Sequence, residues 1–463
     1  MDYKIIPLDR RIFRAYDIRG IVGEQINEDV FYTIGRAISV RLHELERRQI
    51  FLARDGRLQS ERLANALAQG VLDGGIDLLN LGEVATPLLY YATHINQHVD
   101  CGLMVTGSHN PANYNGIKIV LAGKTLVATD LEQLYKIVVN GVFPGGKGNA
   151  QDFQIIDNYI TRIINDITID RSLKVVVDCG NGVAGPVVLR VLKELGLDIV
   201  ALYCDVDGRF PNHHPDPSVE TNLIDLKNAV AKHQADLGIA FDGDADRLGV
   251  VANDGNVIWP DRLLMLFARH VLQNNKNATI VYDVKCSNHL ATVIGNAGGI
   301  GKMCPSGHSI VKAFLKKEKA ILAGELSGHI FFEDRWYGFD DALYSSCRLL
   351  EIISKNAKSV SEQFAMIPNS VNTPEIKIPI AEEKKFIFMQ NFSKQAKFPD
   401  GKPNLIDGVR VEFTNGWGLL RASNTTPCLI ARFEATDHQN LERIQELFRA
   451  QLMRVDQELE FTF

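Results

Sequence analysis

Apolar positions fall along this chain in two alternating kinds of segment, and their order repeats. The first kind is a short apolar run, a polar loop, then apolar residues at helical spacing. It occurs as IFLARDGRLQSERLANALAQGVLDGG from Ile50, KVVVDCGNGVAGPVVLRVLKELG from Lys174 and TIVYDVKCSNHLATVIGNAGG from Thr279. Each predicts strand, loop and helix, and each helix runs into glycine, which tolerates a left-handed C-cap. A second short strand follows in IDLLNLG and LDIVALY. The second kind sets a polar loop between two apolar strands: GLMVTGSHNPANYNGIKIV from Gly102, LGIAFDGDADRLGVV from Leu237 and AILAGELSGHIFF from Ala320.

Repetition of this β-α-β unit predicts three similar α/β domains with mixed sheets. The C-terminal stretch breaks the pattern. It has strand-like PEIKIPI, VRVEFTN, GLLRAS and CLIARFEA, then a helix with Leu441, Ile444, Leu447, Phe448 and Leu452 on one face, and predicts a smaller C-terminal α+β domain. Boundaries fall in the Gly-rich 141–150, the turn at 253–256 and the segment 367–374. These give domain I at 1–150, domain II at 151–256, domain III at 257–368 and domain IV at 369–463.

Composition narrows the function classes. A chain of 463 residues, 46% hydrophobic, has room for several cores. A formal net charge of -6 argues against nucleic acid or an anionic membrane as partner, so an anionic ligand must be drawn by a local basic pocket. The seven cysteines form no C-x-x-C pair, which argues against zinc and a disulfide framework and fits a reducing cytoplasm. The N-terminal stretch is charged throughout, and no uncharged apolar run is long enough to cross a bilayer.

The chemistry concentrates in four loops. In FDGDADR, Asp242, Asp244 and Asp246 alternate, which in an extended loop puts three carboxylates on one side. Unpaired they would repel, so a divalent cation is the natural compensation, and hard oxygen ligands suit Mg²⁺ or Ca²⁺. An EF-hand would need Gly at Arg247 and Glu at Asn253, and neither is there. Ala245 offers no side-chain ligand, so its identity is expected to matter little. GELSGH offers Glu325, Ser327 and His329, a set suited to sugar hydroxyls, although alone it also fits a surface turn. RASNTTP offers Arg421, Ser423, Asn424, Thr425 and Thr426, a phosphate cradle or a hydrogen-bonded turn. TGSHNP presents Ser108 beside His109 but does not match the G-x-S-x-G elbow of hydrolases. A serine oxygen facing a metal and several cations suits phosphoryl transfer instead.

TGSHNP, DGDADR, GELSGH and RASNTTP, in this order, resemble the α-D-phosphohexomutase superfamily. FRAYDIRG, DCGNGVAG, FPNHHPDP and GFDDALYS narrow the resemblance to its bacterial phosphomannomutase/phosphoglucomutase branch. It covers essentially the whole chain. It implies four domains around a central cleft and reversible phosphoryl transfer between O1 and O6 of mannose or glucose phosphates, through a phosphoserine and a hexose 1,6-bisphosphate. Ser108 would carry the phosphate, with Mg²⁺ on Asp242, Asp244, Asp246 and the phosphoserine, and hexose 1,6-bisphosphate as activator. Arg19, His109, Lys118 and Arg247 would surround the transferring group, with Lys118 and His329 as candidates for proton transfer. Glu325 and Ser327 would bind sugar hydroxyls. Arg421, Ser423, Asn424 and Thr425 would hold the non-reacting phosphate, helped by Tyr16, Lys285 and His308. The partners implied are small sugar phosphates, with no nucleic acid and no membrane, for a cytoplasmic monomer.

Three rival readings stand beside this one. Phosphoglucosamine mutases carry an R-x-S-G-T-E-P type of tail loop, unlike RASNTTP. GNGVAG at 180–185 matches the dinucleotide fingerprint of a nicotinamide oxidoreductase, but the equivalent loops RDGRLQS and DVKCSN lack those glycines, so the turn reads as architectural. A non-catalytic sugar-phosphate binder would not need a metal triad facing a serine. His213 and His214 read as part of an interdomain loop rather than as metal ligands.

Overall fold

The apolar runs of the first repeat become buried parallel strands, Gln49–Arg54 beside both Asp77–Glu83 and Gly102–Val105. The chain then turns back through the TGSHNP loop, so Tyr114–Leu121 pairs antiparallel with Gly102–Val105 and the sheet is mixed. Ile18–Ile21 adds antiparallel on the far side of Tyr114–Leu121, with Arg19 opposite Gly116. Helices Glu28–Glu44 and Ser60–Leu72 pack together at Gly35 and Gly70. A Cβ on Gly35 would lie 3.1 Å from the Gly70 Cα, so only glycines permit this approach. Phe31, Ile34, Ile38, Leu63 and Leu67 are fully buried here, each worth about 1.5–3 kcal/mol of transfer free energy.

The second repeat gives a five-stranded mixed sheet: Val257–Ile258, Leu248–Ala252, Leu237–Phe241, Lys174–Asp178, Asp198–Leu202. Leu237–Phe241 runs parallel to Lys174–Asp178 and antiparallel to Leu248–Ala252, with the FDGDADR loop at that reversal. The third repeat gives Thr279–Asp283 parallel to Ile300–Cys304 and Leu322–Gly324. The C-terminal region is an antiparallel sheet centred on Gly416–Ala422 and Cys428–Ala435. Helix His438–Val455 buries Ile444, Phe448 and Leu452 in its core, whereas Leu447 is only half-buried. The predicted glycine C-caps are present after all three repeat helices, with Gly75, Gly196 and Gly298 left-handed.

The computed structural model describes residues 3–424, 426–461 and 463. They divide into two compact units, Met1–Pro260 with Ser327–Ala365, and Asp261–Leu326 with Met366–Phe463. In the first unit, helix Ala342–Ser354 is N-capped by Asp341. Around it Trp336 stacks on Tyr344 at 4.0 Å and on Tyr91 at 5.7 Å. In the second, the Arg410 guanidinium lies 3.7 Å over the fully buried Trp417 ring. No helix among the described residues is long and apolar enough to cross a membrane.

Candidate active site

In the first unit the TGSHNP loop is held from below by two residues of the RDGRLQS loop. Asp55 accepts hydrogen bonds from Thr106 Oγ1 at 2.8 Å and from the Gly107 amide at 3.1 Å. Buried Arg57 pairs with Asp55 and donates to the carbonyl oxygens of Ser108, Asn110, Pro111 and Tyr114 at 2.6–3.1 Å. One guanidinium therefore satisfies four loop carbonyls, the use to which its fixed fork of donors is suited. Ser108 itself has φ +49, a conformation few residues other than glycine adopt. Its Oγ lies 3.2 Å from His109 Nδ1 and donates to Asp242 Oδ2 at 3.2 Å.

The FDGDADR loop brings its three carboxylates together, but not by extended alternation. Asp242 Oδ1 accepts the amides of Asp246 and Arg247 at 3.0 and 3.1 Å and winds the loop into a turn. Ala245 sits in that turn, fully buried with φ +63. Its identity therefore matters, contrary to expectation: a bulky or β-branched side chain would meet both strain and a closed wall. One ligand oxygen from each of Asp242, Asp244 and Asp246 lies within 4.8 Å of the others, a spacing that can hold a metal ion.

The surroundings fit a cation. Asp244 Oδ2 accepts from Thr86 Oγ1 and from Lys118 Nζ, both at 2.6 Å, whereas buried Asp244 Oδ1 has no hydrogen-bond partner among the described residues. Lys118 Nζ also pairs with Asp246. Three carboxylates and one ammonium leave a formal charge of -2, which one divalent cation cancels. Burial alone would lower the Lys118 pKa, but Asp244 and Asp246 outweigh it and raise it well above the ordinary lysine value. Burial, together with Asp246 and Asp244, pushes Asp242 well up. For Asp246 burial acts upward, but Lys118 and His329 dominate and hold it well down.

Ser327, His329, His109, Arg19 and Arg247 lie around the same point. His329 Nε2 is 3.3 Å from Asp246 Oδ1, and its Nδ1 meets Ser327 Oγ at 2.8 Å. Asp246, His329 and Asp340 form a second group with metal-ligand spacing that shares Asp246 with the first. Burial, then the charges of Arg247 and Arg19, push the His109 pKa well below the ordinary histidine value. Arg19 is anchored by Asp17 and Asn110, and Arg247 lies 3.9 Å from Asp216. Tyr16 is half-buried in the bend just before the Ile18–Ile21 strand.

The second unit gathers the other predicted residues. Glu325 is buried and accepts from the Gly307 amide at 2.6 Å and from Ser306 Oγ at 3.3 Å. His308 opens the helix His308–Glu318 directly after Gly307. Lys285 Nζ lies 2.8 Å from Glu375 and 3.6 Å from Asp283. Burial would lower the Lys285 pKa, but these carboxylates and Glu325 raise it above the ordinary value. Arg421 Nε donates to Asp407 Oδ2 at 2.9 Å, and the same oxygen accepts the Ser306 amide at 2.9 Å. Ser423 Oγ meets Thr426 Oγ1 at 2.8 Å, and Asn424 Nδ2 reaches the Ser306 carbonyl at 3.5 Å. Thr425 lies outside the described residues. Glu325 and Ser327, paired in the sequence reading, belong to different units.

Several residues of the site were not singled out from the sequence. Asp17, Asp55, Arg57, Thr86, Asn110, Asp283, Glu375 and Asp407 each orient a predicted residue or its loop. Asp17 and Asn110 lie inside FRAYDIRG and TGSHNP, and Asp55, Arg57 and Asp283 in the equivalent repeat loops RDGRLQS and DVKCSN, so for these five the motif was itself a pointer.

Known proteins bear on this geometry over the whole chain. Models of the phosphoglucomutase/phosphomannomutase family match as alpha/beta/alpha domain I at 10–143, domain II at 157–255, domain III at 259–370 and the C-terminal domain at 375–451. A phosphomannomutase/phosphoglucomutase of Pseudomonas putida is 47% identical, with 98% of this chain and 97% of that protein covered. A phosphoglucomutase of Neisseria meningitidis serogroup A is 47% identical, with 95% and 96% covered. The crystal structure of a phosphoglucomutase/phosphomannomutase family protein from Burkholderia thailandensis superposes with TM-score 0.93 at 44% identity, covering 98% of this chain and all of that one. With every domain matched and near-half identity from end to end, the chain belongs to the phosphoglucomutase/phosphomannomutase family.

Proposed function

We propose that the chain interconverts the 1- and 6-phosphates of glucose and mannose through a phosphorylated Ser108 and a hexose 1,6-bisphosphate that also serves as activator. The observation that carries this reading is the 3.2 Å approach of Ser108 Oγ to Asp242, within a carboxylate triad spaced for a cation. Asp242, Asp244, Asp246 and the phosphorylated Ser108 would hold Mg²⁺. When bound, that ion neutralises the triad and stabilises charge on the transferring group.

The side chains then have defined tasks. Arg57 and Asp55 fix the Ser108 loop. Lys118, ion-paired to Asp244 and Asp246, keeps positive charge beside the reacting oxygen. Phosphoserine 108 gives its phosphoryl group to the free sugar hydroxyl, that hydroxyl loses its proton, and Ser108 regains one. In the second transfer Ser108 Oγ attacks the other phosphate of the bisphosphate and its proton leaves. His109 Nδ1 is within reach to exchange a proton with Ser108, while Lys118 and His329 are candidates for the sugar side. Arg19 and Arg247 would face the phosphoryl oxygens. Glu325 and Ser327 would bind sugar hydroxyls. Arg421, Ser423 and Asn424, with Tyr16, Lys285 and His308, would grip the phosphate that is not reacting.

Neither the phosphate grip nor Glu325 and Ser327 would need to contact the C2 hydroxyl, so glucose and mannose phosphates both fit this reading. Seven free cysteines suit a reducing compartment, and we place the enzyme in the cytoplasm. The test is turnover of glucose, mannose and glucosamine 1-phosphates with Mg²⁺ and a bisphosphate activator, together with peptide mass spectrometry of the resting protein. Glucose and mannose phosphates should turn over, glucosamine phosphate poorly, with phosphate on Ser108. Phosphate on another residue, or preference for the amino sugar, overturns the reading.

A further inference from the structure

Cys179 and Cys204 are free thiols whose sulfurs lie 3.4 Å apart. They follow the neighbouring parallel strands Lys174–Asp178 and Asp198–Leu202, whose last residues are in register. The backbone holds both in place: the Cys179 amide donates to the Leu202 carbonyl at 3.2 Å, and the Asn181 amide to Tyr203 at 2.8 Å. Asn181 and Tyr203, beside the two cysteines, are left-handed at φ +60 and +51, so these turns have little slack. A disulfide would need the sulfurs to close to about 2.05 Å, a movement of little more than ~1 Å. Cys179 is fully buried, whereas Cys204 is partly accessible.

That division matches an attacking and a resolving thiol. The hydrogen bond between the two thiols lowers the pKa of Cys204, while the same bond and burial raise that of Cys179. Among the described residues Cys204 is also the one cysteine that is not buried, which leaves it the most open to an oxidant.

The pair is also linked to the carboxylate loop. The Gly182 amide donates to the Cys179 carbonyl at 2.7 Å, and the Val183 amide to the Gly243 carbonyl at 3.2 Å. A Cβ on Gly182 would lie 2.8 Å from the Gly243 carbonyl oxygen, so the two turns are in close backbone contact. Gly243 stands between Asp242 and Asp244.

We propose that Cys179 and Cys204 form a reversible disulfide on reaction with a hydroperoxide, and that this bond slows turnover by drawing the 179–183 turn away from Gly243. The Cys204 thiolate attacks the peroxide O–O bond, giving a sulfenic acid and an alcohol, or water when the oxidant is hydrogen peroxide. Cys179 sulfur then attacks the Cys204 sulfur and releases water. Two thiols lose two protons and two electrons, and the peroxide takes them up. A dithiol reductant reverses the reaction by exchange.

The regulatory half rests on the phosphohexomutase reading, but the cross-link does not. Reduced full-length protein is treated with hydrogen peroxide, then divided between non-reducing peptide mass spectrometry and a turnover assay. A linked peptide pair containing Cys179 and Cys204, lighter by two hydrogens, is expected. Turnover should fall ~10–100-fold, as for a small misplacement of reacting groups, and return with dithiothreitol. Cys204→Ser and Cys179→Ser should keep their turnover under the same treatment. Absence of the linked peptides overturns the site. Linkage without loss of turnover, or equal loss in Cys204→Ser, overturns the regulation.

Discussion

Arg57 Nη2 donates to the Ser108 carbonyl oxygen at 2.7 Å, from a side chain buried one repeat loop away. The serine is thus set by a guanidinium that touches the backbone of its loop and not its hydroxyl. Arg57→Lys keeps the charge but loses the fork, leaving loop carbonyls without donors. We expect kcat to fall roughly 10²-fold, as for a reacting group displaced by about 1 Å, with KM little changed. Steady-state kinetics on glucose 1-phosphate checks this. A proportionate rise in KM would mean that the loop binds sugar rather than positions the serine.

Lys118 partly neutralises the carboxylate triad. Lys118→Met should destabilise the metal-free protein by about 3–5 kcal/mol, the usual cost of breaking a buried pair. Added Mg²⁺ should then recover more stability than it does in wild type. Thermal melts with EDTA and with Mg²⁺ compare the two. An equal Mg²⁺ shift in both proteins would show that lysine and cation do not share the site.

Asp244→Asn keeps the shape of the side chain but removes a charge from the triad. We expect kcat to drop ~10²–10³-fold with sugar-phosphate affinity nearly unchanged, because charge stabilisation is used in the transition state. Binding by calorimetry beside kcat separates the two effects. Full activity after verified metal removal would falsify the metal role altogether.

Arg421, near the end of strand Gly416–Ala422, is held by Asp407 and is assigned to the non-reacting phosphate. Arg421→Ala should raise KM by about 10–150-fold, the worth of a charged hydrogen bond of ~1.5–3 kcal/mol. It should also leak bisphosphate, leaving Ser108 dephosphorylated. Single-turnover assays with labelled phosphoenzyme count the escaped intermediate directly. A weaker-binding variant that leaks no more than wild type would leave the loop as an anchor only.

His213 Nε2 lies 3.0 Å from Asp178 Oδ2. Burial would lower its pKa, but the hydrogen bond and charge of Asp178 outweigh this and raise it above the ordinary 6.5. A raised histidine contributes stability that is fully present below the unfolded pKa and is lost as pH rises through the folded one. His213→Asn should therefore cost more stability at pH 5.5 than at pH 8.5. Melting curves at the two values suffice, and an identical loss at both would remove the ion pair from the account.

Loops whose chemistry is local were legible from the residues alone. The Asp242, Asp244 and Asp246 cluster, Ser108 beside His109 and the glycine stops after each repeat helix are all signals within a few positions. The way the triad converges was not legible, because Asp242 caps its own turn and turns do not keep the alternation of a strand. Nor was the partner of Lys118 legible. Sequence spacing says nothing about a lysine whose carboxylates lie 126 and 128 residues away, on a loop that belongs to a different sheet. Asp407 under Arg421 and Glu375 beside Lys285 were missed for the same reason: buried charges take their partners from whichever segment, here two connecting loops, arrives beside them. Ala245 was misjudged because ligand chemistry was weighed there and backbone conformation was not.

The chain passes from one compact unit to the other after Pro260, returns after Leu326 and leaves again after Ala365. During synthesis, residues 261–326 therefore emerge long before the segment that completes their unit. At ribosomal speeds of about 5–20 residues per second, that wait is on the order of ten seconds. Strands such as Thr279–Asp283, whose Ile280 and Val281 are fully buried in the finished fold, must stay unaggregated through it. The burden falls on nascent-chain handling rather than on final stability. Slow-codon placement or chaperone supply before residue 366 should govern yield in expression more than any substitution on the finished surface.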